Sequence, residues 1–234
     1  MVHYLIDERD PAESALEAPY LKLYTLATPN GQKVTIFLEL LGNVDYHVRT
    51  IDIRKNTQKE DWYLEINPNG RIPTLTDVDD KGNVFHISET AAILLYLADK
   101  YDKERKYSYE PGTRLYYEQL EWTFFQMAGL GPMKGQAHHF VLYAPEKVPY
   151  GIKRYTEETR RLFGVLEIRL ERNKTGFLVG DHLSIADIVS WPWVNGSEKI
   201  GIDINDFPRL SQWLENIGKI EAVKRGSTIG SLTA

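Results

Sequence analysis

Thr28 and Asn30 stand in the short run TPNG at residues 28–31, where their side chains could act on a sulfur atom or an anion. An amide is not a useful base, but Asn30 can donate an N–H and Thr28 an O–H to a thiolate. The run is dense in turn formers and precedes a periodic apolar segment, so it predicts a helix N-terminus, which favours negative charge. The alternative is that Asn30 only caps the helix and Thr28 only braces the turn.

The elements on either side of this turn must position the two side chains. Residues 22–26 alternate β-prone residues and predict a strand. The following segment ends at Gly42 and repeats apolar residues at the spacing of one helical face. These apolar residues are Val34, Phe37, Leu38 and Leu41. Residues 46–53 predict a second strand, so the sequence predicts a β–α–β unit with parallel strands.

Two further segments carry groups that could bind a ligand. Ile72 precedes Pro73 at the entry of an apolar strand, and we expect a cis peptide bond between them because proline tolerates one far better than other residues. The backbone N–H and C=O of Ile72 would then point outward and could pair with an extended peptide. Glu89 and Thr90 begin an apolar helix and could hold a zwitterionic ligand. The alternative is that they only cap that helix.

The rest of the chain predicts a second domain made of helices. Residues 99–112 are rich in charge, Pro and Gly and predict a linker, and only helical patterns follow it. The run SIAD predicts a capping box in which Ser184 and Asp187 bond each other's backbone. At the other end, residues 1–18 form an acidic arm, interpreted as a loose extension or as a segment lying over a neighbouring subunit.

The composition of the chain excludes several kinds of functional site and partner. The chain has 234 residues, a formal net charge of −5 and no cysteine. This excludes a disulfide framework, a thiolate zinc site and a protein thiol nucleophile. His138 and His139 are adjacent and point about 100° apart on a helix, so we expect no metal. Without a basic stripe we expect no nucleic-acid partner, and without an apolar run of about 18 residues we expect no membrane span. We therefore expect a soluble, cytoplasmic protein.

Taken together, the motifs resemble a known family. TPNG at 28–31, NPNGRIPTL at 67–75, SETAAILLYL at 88–97 and GDHLSIADI at 180–188 resemble the cytosolic glutathione transferases. GQAHHF at 135–140 and YAPEK at 143–147 are similar to the nu-class enzymes of bacteria and their fungal nitrogen-regulator (prion-type) relatives. The resemblance implies a homodimer with an α/β thioredoxin-like N-terminal domain and an all-α C-terminal domain. It implies an extension at 1–18, the thioredoxin-like domain at 19–102, a linker at 103–112 and the helical domain at 113–234.

The resemblance also implies glutathione as the ligand, in its reduced or disulfide form. Thr28 and Asn30 match the family residues that face the glutathione sulfur, and they are the candidate catalytic residues. Ile72 matches the residue whose backbone pairs with the cysteinyl part. Glu89 and Thr90 match the pair that holds the γ-glutamyl group.

Three more residues are implied as glutathione contacts. Gln58 matches a glutamine that contacts the tripeptide, and Arg71 stands where the family often has Lys. Arg154 matches an arginine that reaches the site from the helical domain.

Two classes of function remain open. The first is an enzyme that uses the glutathione thiolate to reduce a disulfide or a peroxide and only weakly conjugates small electrophiles. Disulfide reduction needs two thiols, and because this chain has no cysteine, both would come from glutathione. The second class is a regulatory binding protein that holds a partner on the same fold. A long Asn/Gln-rich arm would favour the second class, whereas residues 1–18 are short and acidic.

Overall fold

The computed structural model describes residues 1–5 and 16–232. They form two compact units. The N-terminal unit runs to Tyr101 and also contains the C-terminal segment from Glu221, whereas the helical unit comprises Asp102–Ile220. Most of the predicted extension, at 6–15, lies outside the described residues. The class of fold predicted from the sequence, a thioredoxin-like domain and an all-helical domain, is confirmed.

The N-terminal unit is built on a five-stranded sheet of order β1-β3-β2-β4-β5. Its strands are β1 (Val2–Tyr4), β2 (Tyr20–Thr25), β3 (Tyr46–Thr50), β4 (Thr74–Val78) and β5 (Val84–Ser88). Strands β1, β3 and β2 are parallel, and β4 and β5 continue the sheet in antiparallel pairing. The arm was expected to be loose or to lie over a neighbour, but its residues 2–4 form edge strand β1.

In the part of this unit that the structure describes, four α-helices accompany the sheet: α1 (Pro29–Leu41), α2 (Asp61–Ile66), α3 (Thr90–Tyr101) and the C-terminal α9 (Glu221–Thr228). Helix α9 crosses α1 so closely that a Cβ at Gly226 would lie 2.5 Å from the Ile36 Cα. The Thr35 hydroxyl also donates to the Gly226 carbonyl at 2.6 Å. The chain end from Glu221 therefore packs with the thioredoxin-like unit and not with the helical domain predicted at 113–234.

The helical unit contains α4 (Arg114–Phe125), α5 (Gly131–His138), α6 (Pro149–Asn173), α7 (Ile185–Val194) and α8 (Pro208–Gly218). Helices α4 and α5 are joined by a π-helical turn at Gln126–Leu130, and a second π-helical turn follows at His139–Tyr143. None of the helices in the described ranges has the length and hydropathy needed to cross a membrane.

The segment predicted as a linker is folded into the helical unit. The buried Asp102 carboxylate accepts hydrogen bonds from the backbone of Lys106 (2.8 Å) and Tyr107 (2.9 Å) and from the Ser108 hydroxyl (2.8 Å). The Tyr107 carbonyl in turn accepts the N–H of Ile185 at 3.0 Å. A charged segment therefore folds here because one internal carboxylate satisfies its backbone donors.

The capping box predicted at the start of α7 is confirmed. One oxygen of Asp187 accepts the N–H and the hydroxyl of Ser184, each at 3.1 Å. The other oxygen accepts the Leu178 N–H and the Trp213 indole N–H, both at 2.8 Å. Asp187 is fully buried, and burial raises the pKa of its carboxyl group while these four donors oppose the shift. Asp187 thus also connects α7 to the loop at Leu178 and, through Trp213, to α8.

Candidate functional site

Strand register brings three of the predicted site segments to one end of the sheet. Near the end of β2, Tyr24 pairs with Thr74, the first residue of β4, and Thr74 pairs with Ser88, the last residue of β5. The turn after β2, the loop before β4 and the connection after β5 therefore leave the sheet side by side. They carry Thr28 and Asn30, Ile72, and Glu89 and Thr90 respectively.

The turn after β2 ends in a capped helix. Thr28 is the N-cap of α1, and its hydroxyl oxygen accepts the Gly31 N–H at 3.2 Å, which leaves its proton able to bond elsewhere. The alternative that Asn30 supplies the cap is wrong, because Asn30 lies one residue inside the helix and is half-buried. A Cβ at Gly31 would lie 1.9 Å from the Leu26 carbonyl oxygen, so only glycine permits this close turn.

The loop before β4 presents the backbone of Ile72. The Ile72–Pro73 bond is cis, as predicted. The preceding carbonyl, that of Arg71, accepts the Tyr63 hydroxyl at 2.8 Å and the Asn67 amide at 3.0 Å. Because β4 begins only at Thr74, the backbone of Ile72 takes no part in a strand ladder. The side chain of Arg71 is exposed.

The connection after β5 places an acid at a helix start. The Glu89 carbonyl accepts the Ile93 N–H at 3.0 Å, so Glu89 precedes α3 as its N-cap, and its side chain is exposed. Its φ of +69° lies in the left-handed region, which costs a residue other than glycine about 1–2 kcal/mol. Thr90, the first residue of the helix, is buried.

Lys33 joins the two helix starts and was not singled out in the sequence. Its side chain is 1% exposed, and its Nζ donates to the Thr90 hydroxyl oxygen at 3.2 Å. Burial lowers the pKa of the Lys33 amine to about 7, and the Glu89 carboxylate acts in the opposite direction. One signal was available in the sequence: a cation in the N-terminal half of a helix opposes the helix dipole and requires a separate reason.

Gln58 is the buried residue of a short helical turn, Thr57–Lys59, beside the loop that leads to Ile72. A Cβ added to Gly70 would lie 2.8 Å from the Gln58 carbonyl oxygen, so the two segments are in close contact. The Gln58 side-chain oxygen is buried and has no hydrogen-bond partner among the residues that the structure describes. A buried acceptor without a donor is unfavourable, and a ligand that donates a hydrogen bond would satisfy it.

Arg154 belongs to the helical unit and is described there by itself. It lies on α6, is exposed, and lines a cavity of about 710 Å³. Met133, Tyr150 and the charged side chains of one stretch of α6 complete the wall. Within residues 1–5 and 16–232, no group of three His, Asp or Glu side chains is arranged to hold a metal ion.

The mixed sheet, the cis-proline loop and the two helix N-termini define a thioredoxin-like domain followed by a helical one. Residues 27–100 match the glutathione S-transferase N-terminal domain, and residues 133–221 match the glutathione S-transferase C-terminal domain. The chain belongs to the glutathione S-transferase family.

Its relatives include bacterial and fungal proteins. Disulfide-bond oxidoreductase YfcG of Escherichia coli is 42% identical over 199 residues, covering 84% of this chain and 89% of the relative. A glutathione transferase homolog from Lodderomyces elongisporus, solved with two glutathiones per subunit, is 49% identical with a TM-score of 0.85 and covers 92% of this chain and 99% of its own. The nitrogen regulation fragment of the yeast prion protein Ure2p is 31% identical with a TM-score of 0.84, covering 92% and 99%.

Proposed function

We propose that this chain is a glutathione-dependent thiol–disulfide oxidoreductase that also reduces peroxides and conjugates electrophiles only weakly. The observation that carries the proposal is that the turn with Thr28 and Asn30 and the loop with Ile72 leave the same end of the sheet, in a chain without cysteine. A site of this kind can stabilise a thiolate but cannot supply one. The name of the YfcG relative and the glutathione in the Lodderomyces structure support the same assignment.

Glutathione fits the groups available, because it is an extended zwitterion with one ammonium, two carboxylates and one thiol. Glu89 would take the ammonium, and Thr90 with the N-terminus of α3 would take the neighbouring carboxylate. The Ile72 backbone would pair with the cysteinyl part as an added strand does. The buried oxygen of Gln58 needs a donor, which the peptide N–H groups of glutathione can provide. Arg71 offers positive charge to a carboxylate. Arg154 lies on the helical unit, and its contact with glutathione is implied by the resemblance alone.

The chemistry divides between the ligand and the chain. A glutathione thiolate attacks one sulfur of the disulfide, forms a mixed disulfide and releases the other half as a thiolate. A second glutathione thiolate attacks the mixed disulfide, which gives glutathione disulfide and the second substrate thiol. The chain supplies the Thr28 hydroxyl, the Asn30 amide and the positive helix end, which favour thiolate over thiol and lower the pKa of the bound thiol. No residue has to accept a proton in the attacking step once the thiolate is formed.

Steady-state kinetics of hydroxyethyl disulfide reduction by glutathione test the assignment. We expect Thr28→Ala and Asn30→Ala each to lower kcat about tenfold or more with a smaller change in KM, because they act on the sulfur. We expect Glu89→Ala mainly to raise KM for glutathione. Asn83→Ala is the matched control, since the Asn83 amide bonds Asp79 in the turn between β4 and β5. Full turnover in Asn30→Ala would make Asn30 a structural residue of the helix start.

A regulatory binding protein is the second candidate, and the similarity to the Ure2p fragment supports it. The same assay separates the two functions. Wild-type protein that binds glutathione but reduces neither a small disulfide nor a peroxide above the uncatalysed rate would favour the regulatory class.

The proposal includes a homodimer. Large apolar side chains are exposed on β5 (Val84 and Phe85) and, in the helical unit, on α4 (Tyr117 and Phe124). Single exposed apolar side chains also occur on monomers, so the dimer rests mainly on the resemblance to the family. Sedimentation velocity at micromolar concentration should therefore give a particle of twice the chain mass, and a monomer would contradict the proposal.

A further inference from the structure

Two buried side chains, one from α2 and one from its C-cap, hold the loop that carries Ile72. Tyr63 lies within α2 and is fully buried, and Asn67 follows the helix and is 3% exposed. The N–H of Asn67 donates to the Tyr63 carbonyl at 2.8 Å, so the helix end fixes one side chain relative to the other. Both side chains donate to the Arg71 carbonyl oxygen, the Tyr63 hydroxyl at 2.8 Å and the Asn67 amide at 3.0 Å. The peptide unit between Arg71 and Ile72 therefore has two internal donors.

The same two side chains also hold the other end of the Ile72–Pro73 dipeptide. Thr74, the first residue of β4, is fully buried, and its hydroxyl oxygen accepts the Asn67 amide at 3.0 Å. The Tyr63 hydroxyl lies 3.0 Å from the same oxygen. The amide nitrogen of Asn67 carries two protons, so it can donate to Arg71 and to Thr74 at once. The residues before and after the dipeptide are thus fastened to one buried pair.

The side chain of Ile72 packs on the same support. It contacts the buried apolar cluster that contains Tyr24, Ile51 and Tyr63. Burial raises the pKa of the Tyr63 phenol to about 12, so its hydroxyl keeps its proton at neutral pH. The backbone of Ile72 stands outside the strand ladder, because β4 begins at Thr74. Side-chain contacts from α2 therefore replace strand pairing as the support of this loop.

We infer that Tyr63 and Asn67 are positioning residues for the Ile72 backbone, which they hold in the orientation that an extended peptide ligand requires. This inference rests on the proposed glutathione site, in which the Ile72 backbone pairs with the cysteinyl part. Neither residue is assigned a contact with the ligand, since both act through Arg71 and Thr74. A backbone edge that is fixed in advance binds more tightly, because the ligand does not have to order it.

Tyr109 provides a matched control, because its hydroxyl also donates to a backbone carbonyl oxygen. Tyr109 is 6% exposed and belongs to the helical unit, where it bonds Val179 at 2.9 Å. Burial raises the pKa of its phenol to about 12, as it does for Tyr63. Tyr63→Phe and Tyr109→Phe therefore remove the same group from the same kind of bond. We expect both to lower the midpoint of urea unfolding by similar amounts, and only Tyr63→Phe to change ligand binding.

The experiment pairs these variants with two ligands. Dissociation constants are measured by calorimetry for glutathione and for an analogue methylated on the cysteinyl nitrogen, which lacks the N–H that the Ile72 carbonyl would accept. We expect Tyr63→Phe to weaken glutathione about fivefold and the analogue less than twofold, because only the first ligand can lose that bond. Asn67→Ala should weaken glutathione at least as much, and Tyr109→Phe should change neither ligand by more than twofold. Turnover of Tyr63→Phe at saturating glutathione should stay within twofold of wild type, since Thr28 and Asn30 are intact.

The outcomes separate the inference from the function on which it rests. Wild type that fails to bind glutathione at millimolar concentration overturns both. Wild type that binds, with a Tyr63→Phe that weakens neither ligand or weakens both equally, overturns only the positioning role. A Tyr109→Phe that weakens glutathione as much as Tyr63→Phe also overturns it, because the effect would then be a general loss of stability. If Asn67→Ala does not fold, Tyr63→Phe still decides, because it retains the ring and its packing.

Discussion

Helices α3 and α7 begin with the same two kinds of group, a hydroxyl and a carboxylate, but the groups have opposite surroundings. At α7, Asp187 is fully buried and accepts four hydrogen bonds from inside the helical unit. At α3, the Glu89 carboxylate is exposed, and the backbone of Glu89 is in the left-handed region. The Thr90 hydroxyl oxygen accepts a hydrogen bond from the buried Lys33 amine. The hydrogen bonds at the start of α7 are satisfied within the protein and stabilise the fold. At the start of α3, the Glu89 carboxylate remains accessible to a ligand.

The same contrast holds for two buried lysines, Lys33 and Lys134. Lys134 donates to a backbone carbonyl of its own unit, so its hydrogen bond is part of the folded scaffold. Lys33 donates to a side chain at a helix N-terminus, beside an exposed carboxylate. Similar burial and a similar lowering of the amine pKa therefore accompany two different environments. Burial and titration alone do not reveal which groups surround a buried lysine.

The largest expected effect is on stability at the start of α7. Asp187→Ala leaves four donors in the interior without their acceptor, and we expect the free energy of unfolding to fall by about 3–5 kcal/mol. A helix cap alone contributes about 0.5–2 kcal/mol, so Ser184→Ala should lower it by much less. Urea unfolding measures both variants. Equal losses in the two would mean that the bonds to Leu178 and Trp213 contribute nothing, and the contrast with α3 would fail.

Features formed by residues close together in sequence were predicted, whereas contacts between residues far apart in sequence were not. The turn at Thr28, the cis bond before Pro73 and the box at Ser184 are local, and the types and spacing of neighbouring residues predict them. The Lys33–Thr90 hydrogen bond joins residues 57 apart, and the Asp187–Trp213 bond joins residues 26 apart. Periodicity identifies the helices that carry these residues but not which helices meet.

The domain boundaries were missed for a similar reason. The segment at 103–112 has the composition of a linker, and its packing depends on bonds to residues outside it, among them Asp102, Val179 and Ile185. Helix α9 follows the helical unit in sequence, yet Gly226 fits against α1 at a distance that only tertiary structure reveals. Seven of the eight predicted site residues lie in the N-terminal unit, and Arg154 lies in the other. Their roles in binding stay predictions, as do the dimer and the cytoplasmic location.

A smaller effect is expected from the two lysines. The pKa of each amine is lowered from 10.5 to about 7 in the folded chain, so between about pH 7 and 10.5 the unfolded chain binds more protons. Stability from these groups therefore rises with pH across that window, and the penalty of burying the charge is fully present below pH 7. We expect Lys33→Met and Lys134→Met each to reduce the rise in unfolding free energy by on the order of 2 kcal/mol.

Urea unfolding at pH 7 and pH 9.5 measures this difference. The two variants should lose similar amounts of the pH dependence, because burial lowers the pKa of both amines to about 7. A variant that kept the full pH dependence of wild type would show that the amine it lacks titrates alike in the folded and unfolded chains.

The smallest effect concerns the backbone of Glu89. Its φ of +69° is unfavourable for a residue with a Cβ and unrestricted for glycine, although glycine also gains entropy in the unfolded chain. Glu89→Ala removes the carboxylate and keeps the Cβ, whereas Glu89→Gly removes both, so their difference isolates the conformation. We expect Glu89→Gly to be about 1 kcal/mol more stable than Glu89→Ala in urea, and both to weaken glutathione binding to the same extent. Equal stability of the two variants would show that the backbone there is unstrained. A loss of stability in Glu89→Ala as large as that in Asp187→Ala would show that α3, like α7, needs its acid in order to fold.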